Sequence, residues 1–426
     1  MTSPESLYRS IAGDLRERIR QGRYAPGQRI PSVRGIAADY GCNKITVQKA
    51  FDLLSLEGYL EKRVGSGSYV RYPEHMEIAG EVFDLTTSYL CPAFFPHRQA
   101  KEIMSALIDT EGGEAFGAVP VEGEPGLMAS LGRHYHLATR QMLIISGAQQ
   151  GLDLTAKVFA TRISESVMFE NPTYPGAINL FKPRHFVPMG ADGPDMAAFE
   201  NLISEDIRLF YAMPAVHNPT GISYIPEKMT AVARLAEKHE FTIIEDDYLS
   251  EFVDDPTPRF VDLIPARTIY IKSLSQTTAA GIRLGFMIVP ESLYDRFRQA
   301  KFSSDIGSAG LLQKFFRRFV DTGAYARTID TMRALTDRRR KRIIERLYDI
   351  DGLSIALPQS GYNLWVESNR ELPATGMPWA SGERFSFDPA MRRRFRLSFM
   401  HLEDDTFEKA LAYLKTLLER LLAKDA

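Results

Sequence analysis

The stretch PSVRGIAADYGCNKITVQKAFDLLSLEGYLEKRVGSGSYV, residues 31–70, decides how the first part of this chain folds. Ser32 stands where a helix N-cap is needed, and the helical run it opens reaches Ala38 before Gly41 breaks the chain. Asn43 or Thr46 can start the next helix, with Val47, Ala50, Phe51, Leu53 and Leu54 on its buried side. That is helix, short turn, helix. Beyond Gly58, the runs 59–64 and 68–71 flank Gly65-Ser66-Gly67 and read as two short strands around a glycine turn, a wing. Upstream, Leu7, Ile11, Leu15 and Ile19 recur every fourth position, which predicts a one-faced amphipathic helix over 7–20. The turn-rich GRYAPGQRIP (22–31) ends it.

A chain of 426 residues with 44% hydrophobic content is too long for a usual single domain and apolar enough to build real cores. No apolar run is long enough to span a bilayer, and the N-terminus lacks the layout of a signal peptide, so the protein is expected in the cytoplasm and off the membrane. Cys42 and Cys91 are too few for a disulfide framework or a zinc site, which fits a reducing compartment, and no metal is expected. The net charge of -2 hides a polarity: residues 1–72 hold 12 Lys and Arg against 7 Asp and Glu, so the rest of the chain is acidic. A basic end on an acidic body suggests that one end alone meets a polyanion.

Residues 31–70 resemble the GntR-type winged helix-turn-helix without a gap. In such motifs the third helix enters the major groove, while basic side chains and helix N-termini hold phosphates. The resemblance implies a double-stranded DNA operator as partner. Arg34 and Lys44 should face base edges or nearby phosphates, with Thr46, Gln48 and Lys49 on the recognition helix. Arg63, Gly65 and Gly67 should place the wing against the backbone or minor groove. This gives a DNA-binding domain over 1–72, followed by a short linker, 73–83, which spans at most about 40 Å when extended.

From residue 84 to 426, helical stretches such as 226–239 alternate with strand-like runs: SVMFE (166–170), RLFYAMP (208–214), FTIIEDD (241–247), TIYIKS (268–273) and LGFMIVP (284–290). The pattern predicts an α/β domain with a mostly parallel sheet and a mixed C-terminal part. Motifs fall at strand ends, where α/β sheets place ligands. ISGAQQGLDL (145–154) puts a small turn before a helix, whose free N–H groups make a phosphate seat. ENPTYPG (170–176), HNPTG (217–221), EDDYLSEF (245–252) and KSLSQTTAAGIRLGF (272–286) follow in order.

In that order and spacing these motifs resemble the class I aminotransferase domain of fold type I, which binds pyridoxal 5'-phosphate (PLP). A GntR-type N-terminus joined to such a domain resembles the MocR group of regulators. The resemblance implies a role for each matching residue. Asp246 would keep the pyridine nitrogen protonated, Tyr248 and Asn218 would donate to the phenolate oxygen, and Tyr174 would stack on the ring. The amides of Ala148 and Gln149, the hydroxyls of Ser273 and Ser275, and Arg283 would hold the phosphate. Arg396, in RRRFRLSF (392–399), would take a carboxylate of the effector.

One position breaks the pattern. Where the family has a run like GSFSKTLAPGLRLGY, this chain has Gln276 in place of the lysine that forms a Schiff base with PLP. An amide cannot form that bond or carry the substrate proton, so no catalytic residue is assigned and the usual transamination should be absent or very slow. Lys272 lies four residues upstream, about 13 Å in an extended segment, too far for a simple exchange. Ala118 stands where a tyrosine often reaches the neighbouring subunit's phosphate. The expected function is a homodimeric transcription regulator whose large domain senses PLP, another B6 vitamer or an amino compound, without a covalent bond. The alternative is a PLP-dependent aminotransferase with an accessory DNA-binding domain.

Overall fold

The computed structural model of the chain describes residues 4–20, 24, 29–56, 59–63, 67–70, 77–78, 81–159, 166–181, 184–203, 206–254, 258–358 and 360–423. The chain divides into two compact units, 1–84 together with 373–378, and 85–372 together with 379–426, and each is described by itself.

The first unit opens with helices α1 (Pro4–Arg20), α2 (Val33–Asp39) and α3 (Lys44–Leu56). The antiparallel wing strands β1 (Leu60–Arg63) and β2 (Gly67–Val70) follow, with Leu60 opposite Val70. Local chemistry sets these limits. The Ser32 hydroxyl accepts the Gly35 N–H at 3.2 Å to cap α2, and Asn43 Oδ1 accepts the Thr46 N–H at 2.7 Å to start α3. Ile11, Leu15 and Ile19 of α1 bury against Ile36, Val47, Ala50, Phe51 and Leu54, while Leu7 and Leu53 pack at the edge. Gly67 sits at φ +115°, and a Cβ there would lie 2.7 Å from Arg29 Nε, so the wing needs glycine at this point. Within the stretch expected as linker, β3 (Glu77–Ile78) and β4 (Glu81–Val82) pair as a small antiparallel hairpin, a feature that carried no periodicity to betray it.

The second unit is built on an eight-stranded sheet. Its strands are β5 (Met142–Ile145), β6 (Ser166–Asn171), β7 (Arg184–Gly190), β8 (Gly193–Pro194), β9 (Ile207–Ala212), β10 (Thr242–Asp247), β11 (Thr268–Ser273) and β12 (Gly285–Ile288). Their order is β5-β12-β11-β10-β9-β6-β7-β8. The strands from β7 through β6, β9 and β10 to β11 run parallel; β12 pairs antiparallel with both β11 and β5. The central strands are buried on both faces, as their unbroken apolar runs require. One face packs against Phe199, Met229, Val232 and Ala236 from two covering helices, and other helices bring Leu127, Leu131, Phe316 and Phe319 to a second cluster. The mixed C-terminal part is a four-stranded antiparallel sheet, β13 (Leu353–Ala356), β14 (Asn363–Ser368), β15 (Ala380–Ser381) and β16 (Arg394–Ser398), in the order β13-β14-β16-β15. The fold is therefore an N-terminal winged helix-turn-helix plus an α/β domain, as expected. Among the described residues no helix is long and apolar enough to cross a membrane.

Candidate functional site

On the first unit, Arg34 in the opening turn of α2 and Lys44, Gln48 and Lys49 on α3 are exposed and share the helix-turn-helix surface. Gln48 Nε2 donates to Asp52 Oδ1 at 3.1 Å, one turn along α3, which fixes the outward amide. Thr46 departs from the expectation: it is only 8% exposed, and its hydroxyl donates to Asn43 Oδ1 at 2.8 Å. Its hydroxyl thus belongs to the start of α3 rather than to the open surface, because the same Asn43 oxygen must also cap the helix. Sequence reading passed over Ile45, which is 70% exposed beside Lys44. The Arg63 side chain and all of Gly65 lie outside the described residues.

On the second unit, the C-terminal ends of the strands enclose a cavity of about 370 Å³. Ala148 and Gln149 reach it from the helix after β5, Tyr174 from the loop after β6, and Asn218 from the loop after β9. Asp246 enters from the end of β10, Tyr248 from just beyond it, and Ser273 and Gln276 from the end of β11 and the loop that follows. Arg396 closes it from β16. Nine of the positions singled out from sequence thus meet in one place, the crevice where open α/β sheets bind ligands.

Each of these groups is oriented. Tyr211 Oη donates to Asp246 Oδ2 at 2.7 Å, while Asp246 Oδ1 is buried with no partner. Burial pushes the Asp246 carboxyl up to about 7, with the charges of Asp247 and Glu170 acting the same way against the Tyr211 hydrogen bond. Arg396 donates through Nη1 to Asn218 Oδ1 at 2.8 Å and through Nη2 to the Thr86 carbonyl at 2.6 Å. Tyr174 Oη donates to Gln149 Oε1 at 3.3 Å, and burial, with the Asp246 charge, pushes its phenol up to about 12. Tyr362 donates to Gln276 Oε1 and so fixes that amide.

At the phosphate seat, Gly147 has φ +83°, and a Cβ there would come within 2.8 Å of Arg283 Nη2. The turn therefore needs glycine, and the helix Ala148–Phe159 opens directly after it, a helix N-terminus of the kind that receives an anion. Arg283 lies against this turn, donating to the Ser146 carbonyl at 3.2 Å, but is not among the residues that line the cavity. Ser275, like Arg283, is not part of the lining. Its hydroxyl accepts the Leu284 N–H at 3.2 Å and closes the β11–β12 connection.

Nothing in the motifs marks Tyr211, Tyr362, Thr86, Ser88, Tyr89, Arg384 and Phe385 as neighbours of this group. They come from segments far apart in the chain, and only the assembled sheets bring them together.

Lys272 lies on the other side of β11. It is the register partner of Asp247, one residue beyond Asp246, and alternation along a strand sends neighbours to opposite faces. Its ammonium is fully buried, 2.8 Å from Asp247 Oδ1, 2.5 Å from Glu251 Oε2 and 3.0 Å from Ser250 Oγ. Burial alone would lower its pKa, but the two carboxylates outweigh burial and raise it. No lysine lines the cavity among the described residues.

These features define a winged helix-turn-helix joined to an aminotransferase-type domain of fold type I. The chain belongs to the class I and II aminotransferase family, matched over residues 89–414, and residues 7–70 match the gntR family of bacterial regulatory proteins.

Its two-part arrangement is that of the MocR-like regulators. It is 26% identical over 433 residues to the probable rhizopine catabolism regulatory protein MocR of Rhizobium meliloti, covering 91% of this chain and 87% of that one. The uncharacterized HTH-type transcriptional regulator YcxD of Bacillus subtilis is 28% identical over 352 residues, 79% of each chain. The 2-aminoadipate transaminase of Thermus thermophilus is 26% identical over 358 residues, 78% of this chain and 89% of that one. Among solved structures, the kynurenine aminotransferase of Pyrococcus horikoshii superposes with a TM-score of 0.74 at 23% identity, covering 81% of this chain and 93% of that one.

Proposed function

We propose that this protein is a transcription regulator whose large domain binds PLP or a related B6 vitamer without a covalent bond and conveys its presence to a DNA-binding head. The observation that carries the reading is the lining of the cavity: Gln276 is part of its wall, and no lysine is found there among the described residues. Lys272, the nearest candidate in sequence, is engaged on the far face of β11 by Asp247 and Glu251.

The remaining residues suit the ligand. The orphaned Asp246 Oδ1 is the acceptor that a pyridinium N–H requires, and Tyr174 offers a ring face. Tyr248 and Asn218 are the groups for the phenolate oxygen, and the amides after Gly147, with Ser273 and Arg283, suit the phosphate. PLP, when bound, supplies an aldehyde and an electron-accepting ring. Gln276 has no amine to attack that aldehyde, so this chain holds and senses the ligand without turning it over. Arg396 is the residue for an effector carboxylate.

In the head, Arg34, Lys44, Gln48 and Lys49 form the DNA-facing surface, Arg63, Gly65 and Gly67 the wing contact, and Ile45 an apolar contact suited to a thymine methyl. The working form is a homodimer in the cytoplasm. Phe116 and Ile306, each more than 60% exposed, adjoin two segments that touch each other, and a second copy would cover them.

Two measurements on the full chain test this reading. PLP added to the wild type should leave the spectrum of the free aldehyde, whereas Gln276→Lys should give the red-shifted band of covalently held PLP. DNA from upstream of the protein's own gene should form a specific, salt-sensitive complex whose affinity changes with PLP. Release of a keto acid from an amino acid by the wild type with PLP would overturn the non-enzymatic reading. No specific complex at any PLP concentration would overturn the regulatory one.

A further inference from the structure

Among the described residues that line the cavity only Asp246, Arg384 and Arg396 bear charge. Arg396 is 7% exposed, and its two hydrogen-bond acceptors, the Asn218 amide oxygen and the Thr86 carbonyl, are neutral. Its Cζ lies 4.9 Å over the Phe385 ring, and its Nε has no partner. A buried guanidinium held only by neutral groups is poorly compensated for the water it has lost.

Arg384 stands at the exposed rim. The acid next to it in sequence, Glu383, is engaged by Arg392 at 2.8 Å. Among the described residues no hydrogen bond or ion pair holds Arg384. The two arginines are near enough to feel each other: burial pushes the Arg396 guanidinium down to about 10, and the Arg384 charge acts in the same direction. An arginine on an open surface is commonly just solvated, but this one shares a cavity lining with Arg396, and the lining's carboxyl, Asp246, is held by Tyr211 and pushed up to about 7 rather than pairing with either arginine. A cavity so arranged attracts anions, and the difference in depth between the two guanidinia suits a ligand with acid at both ends.

We propose that the cavity takes a small dicarboxylic or amino dicarboxylic acid, one carboxylate on buried Arg396 and the other on Arg384 at the rim. This rests on the reading of the cavity as a B6 site with Arg396 facing its effector, and it adds the chemical class of that effector. Each arginine–carboxylate pair is a charge-assisted, potentially bidentate contact, and its loss is felt as about tenfold or more in affinity.

The test titrates glutarate and butyrate into the full-length protein by calorimetry, with and without saturating PLP, while absorbance reads PLP uptake separately. Glutarate should bind at least about tenfold more tightly than butyrate. Arg384→Gln should bring glutarate down to the butyrate level and leave butyrate unchanged, Arg384→Lys should restore part of the preference, and Arg396→Gln should weaken both acids. Arg384 has no partner among the described residues, so these variants should keep the wild-type melting temperature. Equal binding of the two acids, equal weakening of both by Arg384→Gln, or no binding of either acid in both conditions would overturn the proposal. Failure of PLP to bind would overturn the B6 reading instead, and the PLP-free titration would still decide the arginine pair.

Discussion

Strand β11 divides two clusters of ionisable groups that treat charge in opposite ways. Behind it, the Lys272 ammonium lies between the Asp247 and Glu251 carboxylates, Tyr270 Oη donates to Asp247 at 2.6 Å, and Tyr325 Oη donates to Glu251 at 3.0 Å. In front, Asp246 keeps one bare carboxylate oxygen, Arg396 a bare Nε, and Arg384 has no partner among the described residues. A buried charge without a partner is costly, so a fold keeps one where something else is to supply the partner. The closed cluster reads as structure and the open one as a binding site, although Asp247 of the first and Asp246 of the second are neighbours in sequence.

The sharpest way to break this comparison is to remove the ammonium from the closed side. Lys272→Met would leave Asp247 and Glu251 buried with no counter-charge, and breaking such a group by deleting one member costs about 3–5 kcal/mol. Thermal or urea unfolding of the full chain should show a loss of that size. A Lys272→Met variant as stable as the wild type would mean that the two carboxylates take up protons or water and that the cluster is not closed.

How much of this division was legible in the sequence follows from the range of the forces that make it. The head was readable nearly residue by residue, because its signals are local: the Ser32 cap, the Asn43 start of α3, and the four-residue recurrence that buries Ile11, Leu15 and Ile19. The strands of the sheet were readable from their apolar runs, and the motif residues at their ends did converge on one cavity. What the sequence could not show was pairing across distance. Arg384 and Tyr362 reach the cavity or its wall from the C-terminal sheet region, and Tyr211 from the middle of a strand whose alternation carries no chemical label. The family resemblance makes Ser275 a phosphate ligand, whereas in the fold its hydroxyl, two residues beyond Ser273, accepts the Leu284 N–H. Lys272 could be judged from sequence only by its distance from position 276, whereas the register with Asp247 gives the reason it is engaged elsewhere.

On the open side, the effect of removing a charge should have the opposite sign and depend on pH. The folded pKa of Asp246, about 7, is above its ordinary value of 3.8. Below pH 3.8 the carboxyl is protonated in the folded and unfolded states alike, and its ionisation has no effect on stability. As pH rises from there towards 7 the unfolded chain ionises first, stability is lost, and the penalty is complete above about 7. Asn at this position never ionises. Asp246→Asn should therefore stabilise the ligand-free protein by about 4 kcal/mol at pH 8 and leave it nearly unchanged at pH 4, while weakening PLP uptake measured by absorbance. Equal effects on stability at the two pH values would show that the carboxylate is satisfied without a ligand.

The head repeats the contrast on a smaller scale, in two side chains at the start of one helix. Asn43 is turned inward to the backbone: its Oδ1 takes both the Thr46 N–H at 2.7 Å and the Thr46 hydroxyl at 2.8 Å, so it holds the first turn of α3. Gln48, a turn further on, is exposed and donates through its amide to Asp52. Asn43→Ala should cost about 1 kcal/mol of stability as the cap is lost. Gln48→Ala should stay within about 0.5 kcal/mol of the wild type, yet lower discrimination among operator sequences by about 1–3 kcal/mol if its amide reads a base edge. Melting curves and competition binding on the same two variants separate the roles. A Gln48→Ala protein that melts early but discriminates normally would place this side chain with the closed groups and move the reading surface to Lys44, Ile45 and Lys49.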